Sequence, residues 1–159
     1  MSYTWVRRRE RKRVPYENPA GRRVNALAAL VKGGAVPALY WVAKPGSFRA
    51  HHLIAFLTEL PPAPMPTVVV LDNGSIHRSK AVSAALPALW ARGVYLYFLP
   101  PYSPDLNDIE PIFRPIKHHQ LPERRYATVP ALLDAVHTAF TTYEEALITK
   151  SAHQPRRAA

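Results

Sequence analysis

Cysteine is absent from this chain, which excludes disulfides and thiolate metal sites and fits a cytoplasmic protein. Acidic residues are few: 11 against 21 lysines and arginines, for a formal net charge of +10. No apolar run approaches the roughly 20 residues of a membrane span. The opening Met1-Ser2-Tyr3-Thr4-Trp5 leads into arginines rather than into the apolar core of a signal peptide. Internal repeats are missing, as are a Walker loop, a Gly-x-Gly-x-x-Gly turn and a Gly-x-Ser-x-Gly element. Positive charge and proline are what the chain has in excess. The charge favours polyanions through counterion release from phosphates; the plainer alternative is a basic protein with an ordinary surface. The 17 prolines gather in connections such as Pro61-Pro62-Ala63-Pro64-Met65-Pro66.

With 159 residues the chain is most simply one domain, large enough to bury roughly 70% of its unfolded surface. Residues 1–20 form a basic arm around Arg7-Arg8-Arg9-Glu10-Arg11-Lys12-Arg13, either phosphate-contacting or simply solvated. Residues 21–150 form the folded body and 151–159 a polar, disordered tail. Within the body, Arg22–Leu30 and Val36–Val42 read as a hairpin about Gly33-Gly34, although the alanines of Ala26–Leu30 also suit a helical turn. Phe48–Leu60 has helical spacing, with Leu53, Phe56, Leu57 and Leu60 on one face. Val68–Leu71 is an unbroken β-branched run of the kind covered on both faces. Ser79 suits the N-cap of a helix through Arg92, Gly93 its stop, and Pro87 a kink. Val94–Leu99 is a further strand, and strand–helix–strand predicts a right-handed parallel crossover. A last helix spans Val129–Ile148, turning Leu132, Leu133, Val136, Phe140, Tyr143 and Leu147 to the core.

Two acids stand out against this layout. Asp72 closes the run Val68-Val69-Val70-Leu71, and Glu110 ends the segment Pro100-Pro101-Tyr102-Ser103-Pro104-Asp105-Leu106-Asn107-Asp108-Ile109. Ligands of open α/β sheets gather beyond the carboxyl ends of parallel strands. A loop from the second strand would therefore deliver Glu110 to the edge where Asp72 sits. On a basic chain, such a pair suggests metal-dependent phosphodiester chemistry. Each acid also has a structural alternative: Asp72 in an Asp-Asn-Gly turn, Glu110 as the third residue of a capping box on Asn107.

The segments Leu71-Asp72-Asn73-Gly74-Ser75-Ile76-His77 and Phe98-Leu99-Pro100-Pro101-Tyr102-Ser103-Pro104-Asp105-Leu106-Asn107-Asp108-Ile109-Glu110-Pro111-Ile112-Phe113 resemble the DDE domain of the IS630 group of transposases, which belongs with Tc1/mariner. The resemblance covers about residues 3 to 148. It implies a ribonuclease-H-like fold, a mixed sheet flanked by helices, in which three acids hold two Mg²⁺ ions, or Mn²⁺ in their place. Asp72 matches the second acid and Glu110 the third. It implies double-stranded DNA at transposon ends as the partner, a cytoplasmic, nucleoid-associated location and no membrane. Asn73, His77, Arg78, Lys80, Arg114 and Lys117 are the candidate nucleic-acid-binding residues. His77 alternatively packs against the turn as a helix-start histidine, and the four cations alternatively belong to an ordinary surface. Tyr102 and Ser103 are expected to shape the loop that delivers Glu110. The pairs His51-His52 and His118-His119 make a poor zinc site, since adjacent rings rarely face one ion.

The chain departs from the family pattern where the first acid is expected. That aspartate belongs to a strand preceding a stretch like Tyr3-Thr4-Trp5-Val6-Arg7, and Glu10, Glu17 and Glu59 do not match it. The expectation is a fold lacking its first strand and a helix-turn-helix region. The chain alone would then be inactive and marginally stable, completed by an upstream transposase fragment or a homo-oligomer. The competing expectations are a catalytically inactive remnant that binds DNA or a partner, and a ribonuclease-H-like nuclease of another kind, against which Asn107-Asp108-Ile109-Glu110 argues. Smaller departures are Asp108 in place of proline, Phe113 in place of tryptophan, and Pro115, which should kink the helix after Glu110.

Overall fold

A computed structural model describes residues 23–32, 37–62, 65–101, 103–121 and 126–152. The basic arm, the Gly33-Gly34 turn, Tyr102 and residues 153–159 lie outside the described residues. The fold is mixed α/β, with small sheets flanked by helices, in keeping with the ribonuclease-H-like arrangement.

The alanine-rich segment is a strand. β1 (Val24–Val31) pairs antiparallel with β2 (Ala38–Pro45), Val24 opposite Pro45 and Val31 opposite Ala38. Alternation sends Val24, Ala26, Ala28 and Leu30 to one face with Leu39, Trp41 and Ala43, and Ala29 and Tyr40 to the other. Each face meets helices. The first packs on Ile112, Ile116, Val136, Ala139 and Phe140; the second meets a cluster of Leu53, Leu57, Leu60, Val82, Leu89 and Val94.

α1 (Ala50–Glu59) buries Leu53 and Leu57, with Leu60 just beyond it and Phe56 half-buried. β3 (Thr67–Leu71) and β4 (Val94–Phe98) pair in parallel, Thr67 opposite Val94 and Leu71 opposite Phe98. α2 (Lys80–Ala91) crosses between them. Ser79 caps it, its hydroxyl accepting from Val82 N–H at 3.4 Å. Gly93 ends the connection at φ +74°, and a Cβ there would meet nothing within 4 Å. The strain of a side chain at Gly93 is therefore conformational alone. Gly93→Ala should cost about 1–2 kcal/mol, read as a lower midpoint in urea with an unchanged slope.

One expectation about the sheets is corrected. β3 is not covered on both faces. Val69 enters the core beneath α1 and α2, but Val68 is 62% and Val70 47% exposed, with Tyr95 and Tyr97 of β4 exposed beside them. An unbroken apolar run cannot by itself reveal that only one face finds a partner. Among the described residues the strands lie in two two-stranded sheets, β1–β2 and β3–β4, joined by the shared cluster that takes in Ala29, Tyr40, Val69 and Leu96.

α3 (Glu110–Pro115) is short, and at Pro115 the chain passes into a wider π-type turn over Ile116–Gln120, closed by Leu121 N–H donating to Ile116 O at 2.9 Å. Proline has no N–H for an ordinary helical bond, so the expected kink takes this form. α4 (Val129–Ala152) runs past the tail boundary expected at Lys150. It buries Val136, Ala139 and Phe140, with Leu132, Tyr143 and Leu147 packed alongside. Phe140 stacks on Trp41 with centroids 4.9 Å apart and meets the edge of Phe113 at 6.1 Å. Phe113 thus serves as the apolar anchor of α3. No described helix is long and apolar enough to cross a membrane.

Candidate active site

The parallel ladder ends with Leu99 N–H donating to Leu71 O at 2.8 Å. Past that rung the two chains part, one into Asp72 and Asn73, the other into Pro100 and Pro101. Between them opens a cleft of about 410 Å³. Asp72, Asn73, Leu99 and Pro100 line one part of it, and Pro101, Ser103, Asn107 and Glu110 the rest. The two acids singled out by the sequence therefore face one cavity at the carboxyl ends of β3 and β4, where a parallel pair places its ligands.

Asp72 is exposed, with one carboxylate oxygen already engaged. Its Oδ1 accepts from Gly74 N–H at 2.8 Å and lies 2.7 Å from His77 Nδ1. The Asp-Asn-Gly turn considered for Asp72 does form, and the same residue also lines the cleft. His77 Nδ1 also lies 3.2 Å from the backbone oxygen of Asp72, and the His77 side chain is largely buried. His77 is thus packed against the turn, the alternative considered for it. Gly74 matters sterically: a Cβ there would come within 3.0 Å of Asp72 Oδ1 and 3.3 Å of His77 Nδ1.

Glu110 is delivered by a 3₁₀ turn at Pro104–Leu106 and by Glu110 N–H donating to Asn107 O at 3.0 Å. The capping box proposed for it does not form. The N-cap of α3 is Ile109, without a side-chain cap, and Glu110 is the first helical residue. An acid in that position complements the helix dipole while its carboxylate stays exposed at the cleft. Asp108 pairs with Lys32 at the end of β1, Nζ to Oδ2 at 2.6 Å. Both side chains are well exposed, so the pair contributes little stability, yet it ties the approach to Glu110 to the hairpin.

The remaining sequence candidates divide by their surroundings. Lys80, Arg114 and Lys117 are exposed, Lys117 with its ammonium 5.5 Å over the Phe113 ring. Asn73 and Arg78 are bound to one another: Arg78 Nε and Nη2 donate to Asn73 Oδ1 at 2.9 and 2.5 Å. Ser103 lines the cleft, its hydroxyl donating to Pro101 O at 3.3 Å. Asn107 is a cleft residue that sequence reasoning placed only as a possible cap. Its position three residues before Glu110 was the signal available. The His51 and His52 rings lie tilted with centroids 3.9 Å apart, and His52 Nδ1 is occupied by Arg49 N–H at 3.1 Å. Among the described residues, no group of three or more His, Cys, Asp and Glu side chains is arranged to hold a metal ion.

The family described as DDE superfamily endonuclease matches residues 1–133. No curated protein matches the chain.

Proposed function

Because the chain belongs to the DDE superfamily endonucleases, we propose that it serves as the DDE domain of an insertion-sequence transposase of the IS630 group, within Tc1/mariner, cutting and joining DNA strands. One observation carries the reading: Asp72 and Glu110 line a single open cleft at the ends of two parallel strands.

DDE superfamily nucleases generally use divalent metal ions, and the donors at this cleft fit such ions in kind. Carboxylate oxygens are hard ligands, and Mg²⁺ commonly takes one or two of them together with waters and phosphate oxygens. Asp72 and Glu110 would hold the ions. When bound, two Mg²⁺ or Mn²⁺ ions supply activation of the attacking oxygen and stabilisation of the leaving one. Two ions bring four positive charges and these two carboxylates neutralise half, so a third acid is part of the proposal. His77 orients Asp72 by occupying Oδ1, and Gly74 leaves room for that contact.

Lys80, Arg114 and Lys117 present exposed cationic heads and are assigned to phosphates of double-stranded DNA, with self-association at transposon ends and a nucleoid-associated location. Such binding should weaken steeply with salt and show little sequence preference. Removing one phosphate-contacting cation should reduce the slope of log K against log salt by about 0.9. Titrations of duplex DNA at several salt concentrations, on the parent chain and on Lys80→Ala, Arg114→Ala and Lys117→Ala, check this. A salt-insensitive, sequence-specific affinity would refute it.

A second reading is a DNA- or partner-binding module without catalysis. It is favoured by the fact that two acids, not three, line the cleft among the described residues. A Mg²⁺- or Mn²⁺-dependent nicking assay on transposon-end DNA separates the two. One arm uses the chain alone, the other adds a polypeptide carrying the family's first aspartate. Cleavage in either arm, lost on substitution of Asp72 or Glu110, supports the enzyme. Silence in both arms with folded components supports the binding module.

A further inference from the structure

We infer that Asn73 and Arg78 form a positioning clamp that sets the spacing of Asp72 and Glu110 across the cleft, rather than contacting nucleic acid. The inference rests on the reading of the cleft given above and names two residues that act on it indirectly.

The backbone ladder of β3 and β4 stops at the Leu99–Leu71 rung. It cannot continue on the β4 side, because Pro100 and Pro101 have no N–H to donate. Asn73 supplies the next rung from its side chain: Nδ2 donates to Leu99 O at 2.6 Å. That carbonyl belongs to the residue from which the Glu110 loop departs. On the other side of the same amide, Asn73 Oδ1 receives both Arg78 nitrogens. The Arg78 guanidinium then lies over the Phe98 ring, 4.3 Å from its centroid. The contacts close a circuit from the end of β3, through the turn before α2, to the end of β4 and back.

The residue types suit the task. An amide head offers a donor and an acceptor on one short planar group; aspartate would lose the donor and serine would not reach both partners. Arginine combines a rigid fork with a flat face that stacks on an aromatic ring, and lysine has neither. With Asn73 satisfied in this way, the segment adjoining Asp72 and the segment leading to Glu110 cannot drift apart independently. Arg78 has the Nε–Nη2 edge of its guanidinium committed to Asn73 and its face over Phe98, so these contacts leave only its outer Nη1 edge.

The test is amide hydrogen exchange on the full chain, read by mass spectrometry, together with Mn²⁺ titration followed by electron paramagnetic resonance. Asn73→Ala and Arg78→Ala should each speed exchange between Ser103 and Asp108 about tenfold, leave α1 and α4 unchanged, and weaken Mn²⁺ binding about tenfold. The double variant should be no worse than the poorer single one, because both break the same circuit. Arg78→Lys keeps the charge and is the variant to use should either alanine form fail to fold; it should reproduce the local exchange effect in part.

Unchanged exchange between Ser103 and Asp108, or equal acceleration throughout the chain, would overturn the clamp. So would an Arg78→Ala variant with parental exchange whose DNA-binding salt slope falls by about 0.9, since that marks a phosphate contact. If exchange responds as expected while Asp72→Ala leaves Mn²⁺ affinity unchanged, the clamp stands and the reading of the cleft as a metal site fails.

Discussion

Asp72→Asn and Glu110→Gln should each reduce metal-dependent cleavage of transposon-end DNA on the order of a hundredfold or more, while leaving the fold in place. Both substitutions are nearly isosteric and both side chains are exposed, so little packing is lost. What changes is the ligand: an amide oxygen carries no formal charge to offset a divalent cation. Asp72→Asn has a second consequence. Its Oδ1 accepts from Gly74 and adjoins His77, and an amide can keep the first contact while weakening the second. A Mn²⁺ titration should show both variants impaired, with a melting temperature within a few degrees of the parent. Wild-type cleavage by either variant, in an arm where the parent is active, would remove that acid from the proposed centre. Duplex-DNA affinity without metal should be unchanged or slightly higher in both, because each removes a negative charge from a cleft that is expected to receive phosphates.

Phe140→Ala should be the costliest single change to stability, about 3–5 kcal/mol, or roughly a 10 °C fall in melting temperature for a domain of this size. Phe140 is 2% exposed and joins three elements: it stacks on Trp41 of β2, meets Phe113 of α3 edge-on, and anchors α4. Aromatic pairs of this kind add about 0.5–1.5 kcal/mol beyond the buried area. The loss should also reach the cleft, because Phe113 follows Glu110 on the same short helix and leans on Phe140. Thermal melts by circular dichroism, with and without Mn²⁺, measure both effects. A fall of less than about 2 °C would mean that the hairpin and α4 are held together by something other than this cluster.

Much of the site was legible because its determinants are local. Ser79 and Gly93 bound α2 through capping and a positive φ, and neither needs a distant partner. The β-branched run ending at Asp72 and the aromatic run ending at Leu99 are strands by composition, and a helix between them implies parallel pairing. Parallel pairing alone brings Asp72 and the start of the Glu110 loop to one edge. The meeting of both acids at one cleft therefore followed from short motifs and one topological rule.

The rest depended on which segments meet in space. The run Val68–Leu71 has the same apolar pattern whether one or both of its faces are covered, and only packing shows that Val68 and Val70 remain exposed. Lys32 and Asp108 are 76 positions apart, and no periodicity links them. The alanines of β1 could have joined a helix; their strand pairing with β2 and partial burial against the two clusters decided otherwise. Asn73 and Arg78 read as nucleic-acid-binding residues, because composition cannot show that one amide finds Leu99 O on one side and a guanidinium on the other. The sequence by itself determined the chemistry available at the cleft, since carboxylates at strand and helix ends are set by local propensity. Tertiary structure decided which groups were left to perform it, because hydrogen bonds between distant segments commit some polar heads to holding the fold and leave others facing the cavity.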